Sequence, residues 1–509
     1  MFCEDRQKSK QCFNILYSHP FPSRLFMKRP NLLYVFPDQY RLMSLGVWQR
    51  PEYRPHLSGT PDPVLTPCLD ELADSSSVFT NAVSNCPVCS PHRGSLMTGM
   101  YPNKSGVPLN CHSLRVCSDL PQESFCLTDA LSVAGYHVGY IGKWHLDFPT
   151  PNDPQNPGSY VDCKTPAWDS YTEPCRRHGI DYWYGYGTFD QHTNPHYYDN
   201  DGERHEPKMW SAEHEADKAI EFIHSRCSKE NIDTPFALFV SMNPPHSPYN
   251  SLDDCRESDL DIYSQQTTEA LLVRDNADVH MAKAASAPYY FANVSGVDKE
   301  LGRIIDALKE NGEWDNTLVV FTSDHGETLC SHGIEDAKNC IYNESFQVPF
   351  ILKQPFQTRG NVHTEFLNSP DIMPTLLNLL DIPLPPDVSL QGKDVLNQDQ
   401  HTSCALYIRN IDGEVDENGD IKSYFPVSRG IKTRDYSLAL TINKENQLVD
   451  TLLFNNQEDP HQLNNLEFDV NQPEIKALLS LLANELTRIE DPWHESKVLA
   501  EFIPYQESK

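Results

Sequence analysis

Four short apolar runs, each followed by polar residues, most constrain the fold of this chain. They span residues 31–36, 137–141, 236–241 and 317–323. Their β-branched and aromatic residues are typical of buried strands. Helical patterns lie between them, the clearest over residues 294–312, where apolar residues recur at helical spacing until Gly312. This alternation predicts an α/β fold with a large, mainly parallel sheet that is covered by helices on both faces.

Polar residues that follow the predicted strands are the first candidates for a functional site. They are Asp38 and Gln39, Lys143 and His145, His246, and Asp324 and His325. Parallel α/β sheets bind ligands in the crevice at the carboxyl ends of their strands, so we expect these clusters to meet at one edge. Each cluster alone could be a capped turn, and the hypothesis of one site therefore depends on their shared position.

The stretch VCSPHRGSLMTG, residues 88–99, places Cys89 at the predicted start of a helix. Pro91 suits a first helical turn because its missing N–H would have no partner there, and Gly99 is a common helix end. Free backbone N–H groups and the helix dipole favour an anion near Cys89, and Arg93 adds a positive charge one turn later. The alternative is a small buried cysteine beside a structural arginine.

The chain has 15 cysteines, an odd number, so a complete set of disulfides would leave one thiol over. Cys86 and Cys89 form a C-x-x-C pair, but a zinc ribbon requires a second such pair, which the sequence lacks. We expect mostly reduced thiols, with Cys111, Cys117 and Cys126 as an alternative disulfide or metal cluster.

The formal net charge of -31 argues against nucleic acid or an anionic membrane surface as the main partner. A local basic pocket remains compatible with a small anionic substrate, because exposed charges are screened within about 8 Å. No apolar run reaches the roughly 18 residues of a membrane span, and residues 1–21 lack the apolar core of a signal peptide. We therefore expect a cytoplasmic chain with no membrane partner, and a secreted or periplasmic location is the alternative.

Several motifs together resemble the type I sulfatases of the alkaline phosphatase superfamily. Residues 89–93, CSPHR, resemble the C-x-P-x-R signature of that family. Further similar segments are KRPNLLYVFPDQ, AGYHVGYIGKWHL, NPPHSPY, NTLVVFTSDHGE, SPDIMPTLLNLLDIPLP and LLFNNQEDPHQLNNL. The resemblance runs from about Arg29 to about Leu466 and implies an alkaline phosphatase-like fold. It also implies a sulfuric ester hydrolase that acts on a sulfated carbohydrate.

In that family a maturation enzyme oxidises the motif cysteine to formylglycine, so the resemblance implies that Cys89 is a precursor. One hydroxyl of the aldehyde hydrate attacks sulfur, and the second later expels sulfate. Carried over by motif, the metal ligands are Asp38, Gln39, Asp324 and His325. The usual ion of the family is Ca²⁺, and the nitrogen of His325 keeps Mg²⁺ and Mn²⁺ as alternatives.

The resemblance also implies roles for basic side chains. Arg93, Lys143 and Lys338 would neutralise the sulfate oxygens and the activated diol. For Lys338 a solvated loop is the alternative. His246 is the candidate general acid for the leaving alcohol, and His145 is the candidate acceptor of the second diol proton.

Residues 181–205 are dense in aromatic, histidine and asparagine residues. Because aromatic side chains stack on the apolar faces of sugar rings, we predict a carbohydrate subsite that includes His192, His196 and Tyr197. A packed surface loop is the alternative.

We predict an N-terminal extension over residues 1–26, a catalytic domain over 27–400 and a C-terminal subdomain over 401–509. The last would be α+β, with a small antiparallel sheet and a helix. Two other functions remain open: a phosphonate monoester or phosphodiester hydrolase of the same superfamily, and a non-catalytic binding protein that retains the fold.

Overall fold

A computed structural model describes residues 28–149, 166–397, 399 and 402–502. The predicted extension over residues 1–26 lies outside the described residues, and so does the predicted boundary at residues 400 and 401. Within the described part, a ten-stranded sheet and a separate four-stranded sheet are formed.

The strands and helices of the described residues follow the predicted alternation along most of the chain. The strands are β1 (Asn31–Val35), β2 (Ser77–Ala82), β3 (His137–Lys143), β4 (Tyr182–Tyr186), β5 (Tyr197–Tyr198), β6 (Arg204–His205), β7 (Phe236–Ser241), β8 (Thr317–Thr322), β9 (Phe350–Lys353), β10 (Asn361–Leu367), β11 (Ala405–Asp412), β12 (Tyr424–Lys432), β13 (Tyr436–Ile442) and β14 (Leu448–Asn455). The α-helices are α1 (Pro67–Ala73), α2 (Cys89–Thr98), α3 (Pro102–Ser105), α4 (Leu127–Val133), α5 (Ser211–Arg226), α6 (Glu257–Leu260), α7 (Thr268–Leu271), α8 (Ala287–Glu310), α9 (Asn343–Phe346), α10 (Ile372–Leu379), α11 (Pro473–Arg488) and α12 (Pro492–Glu495).

The large sheet has the strand order β10-β2-β9-β8-β1-β7-β3-β4-β5-β6. Strands β8, β1, β7, β3 and β4 are mutually parallel, whereas β9 and the short β5 and β6 pair antiparallel. The four apolar runs of the sequence form β8, β1, β7 and β3, which are direct neighbours. They are buried almost throughout, which explains their continuous apolar character.

Helices cover both faces of this sheet, as the alternate residues of β1 show. Leu33 and Val35 lie in one hydrophobic cluster with residues of α5 and α8. Leu32 and Tyr34 lie in a second cluster with residues of α2, α4 and α10. The predicted α/β fold, with a mainly parallel sheet between two helical layers, is confirmed.

The four-stranded sheet is antiparallel and has the order β11-β12-β13-β14. Leu438 and Leu440 of β13 share a hydrophobic cluster with Leu479 and Leu482 of α11. The predicted C-terminal antiparallel strands and helix are therefore confirmed. Among the described residues, no helix has both the length and the apolar character needed to cross a membrane.

No disulfide joins the cysteines that the structure describes. The alternative cluster of Cys111, Cys117 and Cys126 is accordingly not linked by disulfides. A ligand atom of Cys126 lies instead within 4.8 Å of ligand atoms of Asp129 and His178.

Candidate active site

The polar clusters that follow β8, β1, β7 and β3 meet in one buried pocket, as the strand ends predict. The strands are adjacent and parallel, so their carboxyl ends lie at the same edge of the sheet. Lys143, at the end of β3, places its Nζ 2.7 Å from Oδ2 of Asp38, which follows β1. His325, after β8, places its Nε2 3.4 Å from Oδ1 of the same carboxylate.

Cys89 is the first residue of α2 and lies in this pocket with 1% of its surface exposed. Its Sγ is 3.8 Å from Asp38 Oδ1 and 3.3 Å from His325 Nε2. Lys338 Nζ donates a hydrogen bond to the same sulfur over 3.2 Å. The helix ends at Gly99, whose φ of 65° is left-handed, so the predicted helix and its end are confirmed.

The charges around Cys89 favour an anion at the position of its side chain. Burial raises the pKa of the thiol, but Lys338, Lys143 and His325 lower it more, and a hydrogen bond with His145 acts in the same direction. The net result is a thiol pKa well below its usual value. Lys338, for which a solvated loop was the alternative, is thus brought into the pocket from a distant loop.

Arg93 holds the two central carboxylates in place. Its Nε donates to Asp324 Oδ2 and its Nη2 to Asp38 Oδ2, both over 3.1 Å. Its Nη1 donates to the Lys143 carbonyl and to Ser241 Oγ, both over 2.7 Å. Four hydrogen bonds from a planar, buried guanidinium fix the positions of two acids that would otherwise repel each other.

We expect Arg93→Lys to lower the free energy of unfolding by about 3 kcal/mol, because an ammonium cannot reach both carboxylates and leaves one buried charge without its partner. Urea denaturation followed by circular dichroism measures this change. Arg359→Lys, at an exposed position, is the matched control and should change stability by less than about 0.5 kcal/mol. Equal stability of the two variants would contradict the bridging role.

Four side chains of the pocket could hold a metal ion. Ligand atoms of Asp38, Cys89, Asp324 and His325 all lie within 4.8 Å of one another, and all four residues are buried. Burial and the charge of Asp38 raise the pKa of Asp324. At Asp38, burial and the Cys89 sulfur raise the pKa, but the positive charges of Lys143, His246 and Arg93 lower it by more. The net pKa of Asp38 is therefore well below its usual range. Two buried carboxylates that face one point fit a divalent cation.

Gln39, the fourth predicted metal ligand, presents its amide oxygen to the pocket. Lys338 Nζ donates to Gln39 Oε1 over 3.4 Å, while Gln39 Nε2 donates to Glu327. Glu327 is buried and is also bonded to Lys283 over 2.8 Å. Because a carboxylate accepts but does not donate, Glu327 orients the amide so that its oxygen faces Lys338 in the pocket. The left-handed φ of 65° at Gln39 turns the chain into the pocket directly after β1.

His246 lies beside Lys338, with its Nε2 3.0 Å from Lys338 Nζ. Its Nδ1 is 3.4 Å from Asp190 Oδ1. Burial, Lys143 and Lys338 lower the pKa of His246, but Asp38 and Asp190 outweigh them and raise it to about 9. A protonated ring is the form that a general acid requires.

His145 has the opposite character. It is buried, its Nε2 lies 3.1 Å from the Cys111 carbonyl oxygen, and burial lowers its pKa. A neutral ring that interacts with Cys89 is suited to accept a proton. The pKa values of His145 and His246 are therefore shifted in opposite directions within the pocket.

Sequence reasoning missed several polar residues of the pocket. They are Ser241, Asn243, Asp190 and Glu327. Asn243 accepts from Lys143 Nζ over 3.3 Å. The available signals were the family-like segments NPPHSPY, which begins with Asn243, and NTLVVFTSDHGE, which ends with Glu327.

The three residues of the predicted carbohydrate subsite lie in the protein interior. His192, His196 and Tyr197 are at most 1% exposed. His196 Nε2 is bonded to Asp169 over 2.8 Å, and the Tyr197 hydroxyl donates to Glu215 over 3.0 Å. They do not form an exposed aromatic platform, because all three are buried, and the rings of His196 and Tyr197 both pack against Tyr186. Their contact with substrate stays a prediction that this packing does not favour.

Known proteins are similar to this chain in sequence and in structure. Residues 30–382 match the family model described as Sulfatase, and residues 330–491 match the model described as N-sulphoglucosamine sulphohydrolase, C-terminal. The chain is 48% identical over 486 residues to the endo-4-O-sulfatase of Bacteroides thetaiotaomicron. The aligned region covers 94% of this chain and 96% of that protein. It is 31% identical to the ulvan-active sulfatase of Formosa agariphila, over 90% of this chain and 82% of that protein.

A solved structure is also similar over nearly the whole chain. That structure was determined in work on the metabolism of multiple glycosaminoglycans by Bacteroides thetaiotaomicron. The two structures superpose with a TM-score of 0.90 at 48% identity, and the match covers 94% of this chain and 100% of the other.

Proposed function

Since this chain belongs to the sulfatase family, we propose that it hydrolyses sulfate esters of carbohydrates in the pocket around Cys89. Water cleaves the ester to an alcohol and hydrogen sulfate. The observation that carries the proposal is that Cys89 is buried beside the carboxylates of Asp38 and Asp324. His325 and Lys338 also contact its sulfur. Because the relative at 48% identity is named an endo-4-O-sulfatase, we take a 4-O-sulfate within a carbohydrate chain as the target.

The nucleophile that we propose is formylglycine, formed from Cys89 by a separate maturation enzyme. The conversion breaks the Cβ–Sγ bond and one Cβ–H bond, forms a C=O bond and releases the sulfur as hydrogen sulfide. It is a two-electron oxidation of Cβ, for which the maturation enzyme would supply the oxidant. The hydrated aldehyde would offer one hydroxyl to attack sulfur and a second to release sulfate. The low pKa of the Cys89 thiol supports a nucleophile at this position, since the positive charges that lower it would also favour an ionised hydroxyl of formylglycine.

The cation that we propose is Ca²⁺, with Mg²⁺ or Mn²⁺ as alternatives. Asp38, Asp324, Gln39 Oε1 and His325 would hold it. The three oxygen donors suit a hard cation, whereas the imidazole nitrogen of His325 is the reason to retain Mn²⁺. When bound, the ion would supply positive charge to the sulfate oxygens.

The basic residues divide into two roles. Lys338 and Lys143 have ammonium groups in the pocket and would neutralise the sulfate oxygens. Arg93 would act mainly by positioning Asp38 and Asp324, because four of its N–H groups are already engaged by protein atoms.

The two histidines would move the protons. His246, with its raised pKa, would protonate the leaving alcohol oxygen. His145, with its lowered pKa, would accept the proton of the second hydroxyl at the nucleophile.

The experiment that tests this function measures sulfate release from defined oligosaccharides, with enzyme that was produced together with a maturation enzyme. We expect an internal 4-O-sulfate to be released with a kcat/KM at least about tenfold above that for a 6-O-sulfate of the same chain. Chain length should stay unchanged, because only the ester is cleaved. Release from the 6-O position alone would contradict the positional assignment.

A parallel assay with paired aryl substrates addresses the alternative function. An aryl sulfate and an aryl phosphodiester carry the same single negative charge, so net charge does not decide between them. Faster turnover of the phosphodiester would favour the phosphodiester hydrolase over the sulfatase.

A further inference from the structure

A cleft of about 350 Å³ adjoins the pocket around Cys89. Its lining includes Lys338 and Pro91, which lie next to the proposed nucleophile, and extends to Arg115, Trp168 and Asn410. Ligand pockets typically have volumes of about 300–1,000 Å³. Because Lys338 Nζ lies 3.2 Å from Cys89 Sγ, a carbohydrate whose sulfate reaches Cys89 can extend its next sugar into this cleft.

Arg115 is held rigidly in the wall of the cleft. Its Nε and Nη2 donate to the two oxygens of Asp412, over 2.8 and 3.4 Å, and its Nη1 donates to the Asn110 carbonyl over 3.0 Å. The guanidinium carbon lies 5.8 Å from the ring centroid of Trp168. These contacts leave 19% of the side chain exposed and restrict its plane.

The hydrogen bonds of Arg115 leave part of its donor capacity unused. A guanidinium has five N–H groups, and three of those of Arg115 are engaged by Asp412 and Asn110. One N–H on each terminal nitrogen has no partner among the residues that the structure describes. Two donors on one planar group are suited to bind two oxygens of a single oxyanion.

Asn410 provides an acceptor from the C-terminal sheet. Arg409 pairs with Ser428 and Ile411 with Phe425, so the register of β11 shifts at Asn410. The extra residue of this bulge belongs to β12, because Pro426 and Val427 both lie opposite Asn410. Asn410 is 5% exposed and its Nδ2 donates to the Pro108 carbonyl over 3.1 Å.

The other polar atom of that amide, Oδ1, is buried and lacks a hydrogen-bond partner in the described part of the chain. A buried acceptor without a partner is unfavourable, so a donor such as a sugar hydroxyl would stabilise it. This observation is independent of Arg115, and Asn410 lines the same cleft.

Trp168 is the aromatic surface of the cleft. It is half-buried and contacts the ring of His112 edge-on, with 4.6 Å between the centroids. The apolar face of a pyranose ring packs on such a side chain. Asp336 also lines the cleft, so attraction of an anion there depends on the local donors of Arg115 rather than on the net charge of the cleft.

We propose that this cleft binds the sugar next to the sulfated one, and that Arg115 recognises an oxyanion on that neighbouring sugar. The ring would pack on Trp168, and a hydroxyl would donate to Asn410 Oδ1. The oxyanion is a carboxylate, as in a uronic acid, or a second sulfate. The inference rests on the proposed function, because it places the sugar relative to the sulfate at Cys89.

The test compares Arg115→Gln with the unaltered protein on three 4-O-sulfated oligosaccharides. The first carries a uronic acid next to the sulfated sugar, the second is its carboxyl-reduced form, and the third is the reduced form with a second sulfate on the neighbouring sugar. Affinity is measured by calorimetry in the Cys89→Ser background, which does not depend on turnover, and kcat/KM is measured in the active enzyme. Arg359→Gln, at an exposed position, is the control.

For a carboxylate ligand, Arg115→Gln should weaken binding of the first substrate about tenfold or more and change binding of the other two by less than about twofold. For a second sulfate, the loss should appear with the third substrate instead. A small aryl sulfate should keep its kcat/KM in either case, because it does not reach the cleft.

An equal loss on all substrates, including the aryl sulfate, would show that Arg115 is structural and would overturn the proposal. Asn410→Ala, a second variant, should weaken binding of all three oligosaccharides to the same extent and leave kcat/KM for the aryl sulfate unchanged. Unchanged binding in both variants would also overturn the proposal. If the unaltered protein binds the oligosaccharides in the predicted way but releases no sulfate, the proposed function fails and the binding inference stands.

Discussion

Replacing Cys89 by serine is expected to reduce turnover by at least about 10⁴-fold while leaving the fold intact. A serine cannot be converted to formylglycine by the proposed route. A sulfate ester of its single hydroxyl could not be released by C–O cleavage, because no second hydroxyl is present on the same carbon. Serine is close to cysteine in size, and we therefore expect an unchanged circular dichroism spectrum. Sulfate release under single- and multiple-turnover conditions measures the effect.

Cys404→Ser is the matched control for this variant. Cys404 is also a buried thiol, and burial raises its pKa to about 12, so it is an unreactive cysteine outside the pocket. The control should retain turnover. Mass spectrometry of the peptide that contains residue 89 should show the aldehyde in active wild-type protein. A fully active serine variant would contradict the formylglycine proposal.

Removal of divalent cations is expected to lower turnover by about 10³-fold, since a cation beside the reacting group contributes several kcal/mol to stabilisation of the transition state. Binding also has a readout that is independent of activity. A ligand that binds only the folded protein at 100 times its Kd adds about 2.7 kcal/mol of stability, so Ca²⁺ should raise the Tm of the metal-free protein. Recovery of activity with Ca²⁺, Mg²⁺ and Mn²⁺ identifies the preferred ion.

Two aspartate variants locate the ion. Asp324→Asn should abolish the rise of Tm with Ca²⁺, because it removes one of the two facing carboxylates. Asp199→Asn is the control, since Asp199, Glu203 and His205 form another group whose ligand atoms lie within 4.8 Å of one another. A rise of Tm that is kept in Asp324→Asn and lost in Asp199→Asn would contradict the proposed metal site.

Much of the fold could be predicted because its signals are local. The apolar run of β1 reads as a buried strand from its own residues, and α2 is delimited by Pro91 and Gly99 within one short segment. The convergence of Asp38 and Asp324 followed from a general property of parallel sheets rather than from any contact that the sequence displays.

The carbohydrate subsite predicted over residues 181–205 shows what residue composition alone does not determine. Aromatic density indicates rings that pack, but it does not distinguish packing on a sugar from packing on other rings. The pairing of β5 between β4 and β6 places Tyr197 in the interior, where it bonds to Glu215. A sugar platform at Trp168 had no comparable signal, because it depends on one isolated aromatic residue.

The sequence by itself determined the four central strands, the start and end of the helix that carries Cys89, and the family motifs, because these depend on neighbouring residues. The tertiary structure alone decided that Lys338 contacts Cys89, that Glu327 orients Gln39, and that Asn410 of the C-terminal sheet lines the cleft beside them. The physical reason is that such contacts join residues that are distant along the chain. Their geometry is set by the packing of sheets and loops, which no local pattern specifies.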